Sequence, residues 1–237
     1  MMNNKEYLYI PDIKRIDGWK DIKIDISGEK LVPLSQSSSL IVEPIYYLNG
    51  IQGAINECYV RESIAHMLEQ ASLKLPIGYK FIIWDTWRPV EVQQSLFNDY
   101  KKVLSSKHPN TNEEELINLT QKYVALPSTN IFNPSPHLTG GSIDLSIVDE
   151  KGKLLNMGTH FDDLSNKAST RYYEVRRSDN KLNSLEKECL QNRRLLYHTL
   201  TSVGFTNYHE EWWHFDFGNQ LWGKVSNNNA IYSSIYI

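Results

Sequence analysis

Ser135-Pro136-His137-Leu138-Thr139-Gly140-Gly141-Ser142-Ile143-Asp144, running on into Leu145-Ser146-Ile147-Val148, is the stretch on which both the fold and the chemistry turn. A loop delivers an imidazole, two glycines allow a tight turn, and a strand from Ser142 to Val148 starts with a carboxylate. His137 and Asp144 stand seven residues apart and converge if the glycines fold the chain back. Both side chains are good Zn²⁺ ligands in a hydrolytic site. Taken alone, a loop histidine and an aspartate capping a turn explain the stretch equally well.

Working outward, Tyr79 to Trp84 is β-prone and reads as a buried strand, and Trp212 to Phe217 as another. Leu40–Val42, Ile45–Tyr47 and Ala230–Ile237 are further extended candidates. Ile64, Met67, Leu68, Ala71 and Leu75 recur at helical spacing until Pro76 and Gly78. Val90 to Ser105 reads as a helix with Leu96, Phe97, Tyr100 and Leu104 on one side. A polar-faced helix is expected from about Asn112 to Val124, with Thr111 as its N-cap. Leu185 to Val203 is the clearest helix, with Leu185, Cys189, Leu196, Leu200 and Val203 on one face and Gly204 at C′. Helices and short strands mix without a βαβ rhythm. The expectation is a single α+β domain over residues 1–237, with a mainly antiparallel central sheet flanked by helices.

Composition excludes several classes. The 237 residues carry 25 basic and 28 acidic side chains, a net charge of −3, which argues against a nucleic-acid partner. No apolar stretch approaches the roughly 18 residues needed to span a bilayer. The first residues have no apolar core of a signal peptide, so the expected location is the cytoplasm. Cys58 and Cys189 fit no metal or disulfide spacing and read as unreactive thiols. Nothing in the residues sets an oligomeric state.

Two further elements carry chemistry. Glu210-Glu211-Trp212-Trp213-His214-Phe215-Asp216-Phe217 places a histidine in an aromatic strand, where water is excluded and charge interactions strengthen. Strict alternation puts residues three apart on opposite faces, so Glu211 joins His214 only from an entering loop or a bulge. A plain core strand accounts for the aromatics but not for the polar groups. In Trp84-Asp85-Thr86-Trp87-Arg88-Pro89 an arginine ends a buried strand, placed to stabilise charge on an attacked carbonyl. An Arg88–Asp85 structural pair explains that segment alone. His66, His108 and His198 read as ordinary imidazoles.

Together, Trp-Asp-x-x-Arg-Pro, Ser-x-His-x-x-Gly-x-x-x-Asp and Glu-Trp-Trp-His, in that order, resemble the zinc D-alanyl-D-alanine dipeptidases of the vancomycin-resistance type, within the wider zinc D,D-peptidase family. Met157-Gly158-Thr159-His160-Phe161-Asp162 and Gly204-Phe205-x-x-Tyr208 are similar to runs of that subfamily, so the recognisable match extends from about Arg61 to Phe217. The resemblance implies that His137, Asp144 and His214 bind one Zn²⁺ per chain. It implies Glu211 as catalytic base and Arg88 as transition-state stabiliser. Asp162 would receive the substrate's amino group and Ser135 would line the pocket. A tyrosine of the N-terminal part would lie near the substrate, with Tyr46 and Tyr47 as candidates. His160 and His209 are read as neighbours, not ligands. The implied reaction is hydrolysis of a small D,D-dipeptide, D-Ala-D-Ala, to two D-alanines. The alternatives are a D,D-carboxypeptidase or peptidoglycan endopeptidase of the same family, and a catalytically silent zinc-containing binder of cell-wall peptide. The presence of Glu211 disfavours the last.

Overall fold

The computed structural model describes residues 7–13, 16–121, 124–178 and 182–236. In chain order the elements are β1 (Leu31–Pro33), β2 (Leu40–Val42), α1 (Ile45–Leu48), β3 (Tyr59–Arg61), α2 (Glu62–Ser72), β4 (Lys80–Asp85), α3 (Val90–Lys107), α4 (Glu113–Thr120), β5 (Ser142–Val148), α5 (Tyr172–Ser178), α6 (Ser184–Thr201), β6 (Thr206–Asn207), β7 (His214–Asp216) and α7 (Gln220–Ser226). One sheet has the order β2-β4-β5-β7-β6, and β1 pairs with β3 in a separate ribbon. Only β2–β4 is parallel; the other pairs of the sheet are antiparallel. The fold is therefore α+β with a mainly antiparallel sheet.

The sequence explains why β4 and β5 take the centre. Every residue of β5 is buried, and so is every residue of β4 after Lys80. Burial along the whole length marks both strands as covered on both faces, although β5 carries Ser142, Asp144 and Ser146 among its apolar residues. Ile64, Leu68 and Ala71 of α2 and Leu195, Leu196 and Leu200 of α6 share one core with Phe81, Ile83, Ile143, Leu145, Ile147 and Phe215. The start of α6 is fixed by a capping box. Asn183 accepts from the Glu186 N–H, and the Glu186 carboxylate accepts from the Asn183 N–H, an arrangement whose cap is worth about 1 kcal/mol. Among the described residues no helix is long and apolar enough to cross a membrane.

Several expected elements differ in detail. Ile45–Tyr47 is not extended. Pro44 starts a single helical turn, closed by Leu48 N–H to Pro44 O, and this turn buries Tyr46 while leaving Tyr47 exposed. Asn112, not Thr111, caps α4, and its side chain accepts from the Glu115 N–H at 2.9 Å. That helix ends at Thr120; residues 122–123 of the expected span lie outside the described residues. The helix α6 stops at Thr201, so Gly204, at φ +109°, falls one position beyond C′. Leu185 sits exposed in its first turn. The C-terminal segment makes a bridge at Ala230 but no strand. Its amides make no ladder with one partner strand: Ile231 and Tyr232 share Gly218 O, and Ile235 donates to Leu138 O; Ile237 lies outside the described residues.

Candidate active site

Three neighbouring strands bring the polar groups into one row. Asp85 of β4 pairs with Asp144 of β5, and Asp144 pairs with His214 of β7. A register shift between Ile83 and Asp85 aims the end of β4 toward that row. His137 arrives on a 3-10 turn, Pro136–Thr139, that ends on Gly140. Gly140 has φ +70°, a left-handed conformation that favours glycine, and a Cβ there would press on the Leu31 side chain, so this glycine suits the turn that folds His137 back over Asp144.

His137 Nε2 lies 3.2 Å from His214 Nδ1 and 3.4 Å from Asp144 Oδ2, and His214 Nδ1 lies 3.0 Å from Asp144 Oδ1. One ligand atom from each of the three residues fits within 4.8 Å of the others, and all three residues are buried. Two imidazoles and a carboxylate suit Zn²⁺ and leave a coordination position for a reactant. The outer nitrogens fit as well. His137 Nδ1 lies 2.7 Å from Thr86 O, and His214 Nε2 lies 3.0 Å from Asp216 Oδ1. An oxygen acceptor on the far nitrogen holds each ring in the tautomer that presents its other nitrogen to the shared point.

The charges of the metal-free cluster follow from burial and neighbours. Burial and the Arg88 charge lower the His137 pKa to about 3, so this ring is neutral and ready to bind a cation. Burial also opposes charge on His214, but Asp216 and Asp144 outweigh it and raise its pKa well above the ordinary value. Burial works against the Asp144 carboxylate, while His137 and His214 pull its pKa below the usual range. Asp216 and Asp144 thus favour a proton on His214, and a cation bound here would compete with it.

Glu211 is in the turn before β7, not in the strand. Its N–H bonds Tyr208 O, and the His214 N–H returns to Glu211 O at 3.3 Å. The turn removes the alternation problem and sets Glu211 Oε2 3.9 Å from His214 Nδ1. Burial raises the Glu211 pKa to about 8. The Arg88 guanidinium is held on several sides: Nε to Asp85 Oδ2 at 2.9 Å, Nη1 to Gln93 Oε1 at 2.8 Å, and Nη2 3.4 Å from both Asp144 Oδ2 and the Tyr46 hydroxyl. The Arg88–Asp85 pair thus exists, but it aims the guanidinium into the cluster instead of away from it. Burial disfavours the Arg88 charge, and Asp85, Tyr46 and Asp144 more than restore it.

Asp162 sits at the rim with left-handed backbone, φ +58°. The residue is exposed, yet its carboxyl group faces inward and accepts from the Tyr46 hydroxyl at 2.9 Å. Desolvation, then Asp144, raises its pKa to about 6. Phe161 closes the wall, with ring centroids 5.1 Å from Trp84, 5.5 Å from Trp213 and 6.0 Å from Tyr46.

Five of the seven singled-out residues, His137, Asp144, His214, Glu211 and Arg88, therefore meet in one cluster, and the sixth, Asp162, reaches it through the Tyr46 hydroxyl. The seventh, Ser135, opens the His137 turn, and its hydroxyl accepts from the Ser128 N–H at 2.8 Å. Of the two tyrosines, Tyr46 faces the site. His160 and His209 stay outside the ligand cluster. The sequence reading missed Asp216, although a His-x-Asp spacing in a strand puts both side chains on one face. It also missed Gln93, for which there was no signal.

The comparisons agree with this geometry. The family model described as D-ala-D-ala dipeptidase, Peptidase M15, matches residues 51–234. A D-alanyl-D-alanine dipeptidase of Synechocystis sp. is 29% identical over 218 residues, covering 85% of this chain and 87% of its own. One from Enterococcus faecalis is 27% identical over 184 residues, covering 75% and 82%. One from Escherichia coli is 26% identical over 156 residues, covering 66% and 64%. Fold and site define an α+β metallopeptidase. Within that class, the chain belongs to the Peptidase M15 family of D-ala-D-ala dipeptidases.

Proposed function

We propose that the chain, acting as one catalytic domain, hydrolyses D-Ala-D-Ala to two D-alanines, with one Zn²⁺ held by His137, Asp144 and His214. The observation that carries this reading is the convergence of that donor set with Glu211 on one side and Arg88 on the other. Zinc, when bound, supplies Lewis acidity, which makes water acidic near neutral pH and polarises a carbonyl. Glu211 takes a proton from the attacking water and returns it to the departing amine, so one carboxylate serves as base and then acid. Arg88, already charged and aimed, stabilises the negative charge that develops on the carbonyl oxygen. Overall, water adds across the peptide C–N bond.

Asp162 receives the free ammonium of the dipeptide, and Ser135 lines the pocket. Tyr46 links the two ends, since its hydroxyl accepts from Arg88 and donates to Asp162. A longer peptide presents an uncharged amide where the ammonium would be and leaves the Asp162 charge without a counter-ion, which disfavours its binding. Aromatic rings around Phe161 exclude water and strengthen these contacts.

The test is amino-acid analysis after incubation with D-Ala-D-Ala, before chelation, after chelation, and after zinc is restored. Release of D-alanine that chelator stops and zinc restores is the expected result. No release from the zinc-loaded protein overturns the reading. Equal rates on the free and N-acetylated dipeptides would point instead to a D,D-carboxypeptidase.

A further inference from the structure

Arg193 has no part in the reaction above, yet it is tied to both of the loops that perform it. It projects from α6 and is 1% exposed. Its Nε donates to Met157 O at 2.8 Å, Nη1 to Ser169 O at 2.6 Å and Nη2 to Lys167 O at 2.7 Å. The guanidinium lies 4.8 Å from the centre of the Tyr173 ring and 5.9 Å from that of Trp212. Among the described residues no carboxylate hydrogen-bonds to it. Burial lowers its pKa to about 10, so it stays charged at neutral pH. Burying such a charge is costly unless its donors are matched, and here backbone carbonyls match them.

Those carbonyls belong to two segments. Met157 opens the loop that ends on Asp162. Lys167 and Ser169 flank Ala168, whose carbonyl accepts the Trp212 N–H at 3.0 Å, and Thr170 N–H bonds His209 O at 3.0 Å. Trp212, the neighbour of Glu211, donates its indole N–H to Thr159 Oγ1 at 2.7 Å. The guanidinium and the Trp212 ring thus staple the Asp162 loop to the Glu211 turn. Gly158 has φ +89°, and a Cβ there would strike the Tyr173 hydroxyl, so the loop lies directly on the ring that Arg193 stacks against. Asp162, at the end of that loop, has left-handed backbone, a conformation that aspartate adopts more readily than most residues.

We propose that Arg193 is a positioning residue for substrate selection: it fixes Asp162 relative to Glu211 and so makes the site choose dipeptides with a free amino group. This rests on the reading of Asp162 as the ammonium acceptor. The test is calorimetric binding of two phosphinate analogues of the D,D-dipeptide to zinc-loaded protein. One analogue keeps the amino group and the other carries hydrogen in its place. The wild type prefers the amino analogue by at least about tenfold, as a charge-assisted contact predicts. In Arg193→Lys and in Thr159→Val, which removes the acceptor of the Trp212 indole, that preference falls by about tenfold. Zinc content and the affinity of the des-amino analogue stay within roughly a factor of two. If both analogues weaken alike, or both variants keep the full preference, Arg193 is only structural and the proposal fails. If the wild type shows no preference, or Asp162→Asn retains it, the assignment of Asp162 fails and this proposal with it. Should Arg193→Lys not fold, Thr159→Val decides alone.

Discussion

Replacing Asp216 by Asn should weaken zinc binding about tenfold, and replacing it by Ala about a hundredfold. Oδ1 of this buried carboxylate receives three donors: His214 Nε2 at 3.0 Å, Ser142 Oγ at 2.7 Å and Asn219 Nδ2 at 2.6 Å. Asparagine has the same shape and keeps an oxygen at that point, so the bonds survive and the charge is lost. A neutral hydrogen bond is worth about 1 kcal/mol and a charge-assisted one about twice that, so the loss at His214 is about 1 kcal/mol or slightly more. Alanine also removes the acceptor. The His214 ring is then free to turn, and holding it in the liganding orientation raises the loss to about 2–3 kcal/mol. The sign of the pH dependence follows from the metal-free protein, in which Asp216 also holds a proton on His214. That proton competes with zinc at low pH, and it competes less in the variants. The deficit should therefore be largest at high pH and shrink as pH falls. Competition between the protein and a chromophoric zinc chelator across a pH series measures it. Wild-type affinity in both variants at high pH would refute the role of Asp216.

Glu211→Ala should keep its zinc and lose turnover by at least about 100-fold, the contribution of a general base; near-normal hydrolysis would remove Glu211 from that role. Arg88→Ala should lower kcat by at least about 100-fold, and a change confined to KM would make Arg88 a binding group. The Asp162 carboxyl, raised to about 6, must be ionised to hold an ammonium. The kcat/KM for D-Ala-D-Ala should therefore show an acid limb near pH 6 in the wild type, below the limb set by the Glu211 base, whose carboxyl burial raises to about 8, and only the lower limb should vanish in Asp162→Asn. Persistence of the lower limb in that variant would assign it to another group.

The strands and helices that were legible in the sequence are those whose apolar residues decide burial by themselves. Ser142–Val148 is buried throughout, and α2 and α6 bury one face each. Ile45–Tyr47 misled because three β-prone residues in a row say nothing of the Pro44 turn that winds them into a helix. The C-terminal segment misled because an apolar run becomes a strand only with a partner ladder, and its amides find scattered carbonyls instead. The polar cluster was legible as residue types at fixed spacing, and the need for a loop at Glu211 followed from strand geometry. The outer partners were not. Thr86 O is a backbone atom without a side-chain signature, and Gln93 reaches Arg88 only because Pro89 turns the chain into α3.

Zinc-loaded crystals measured at the zinc absorption edge test the central claim most directly. The account predicts one anomalous peak, bonded by Nε2 of His137, Nδ1 of His214 and the Asp144 carboxylate, with Glu211 beside it and not bonded to it. A peak elsewhere, or a fourth side chain closing the coordination sphere, would contradict it.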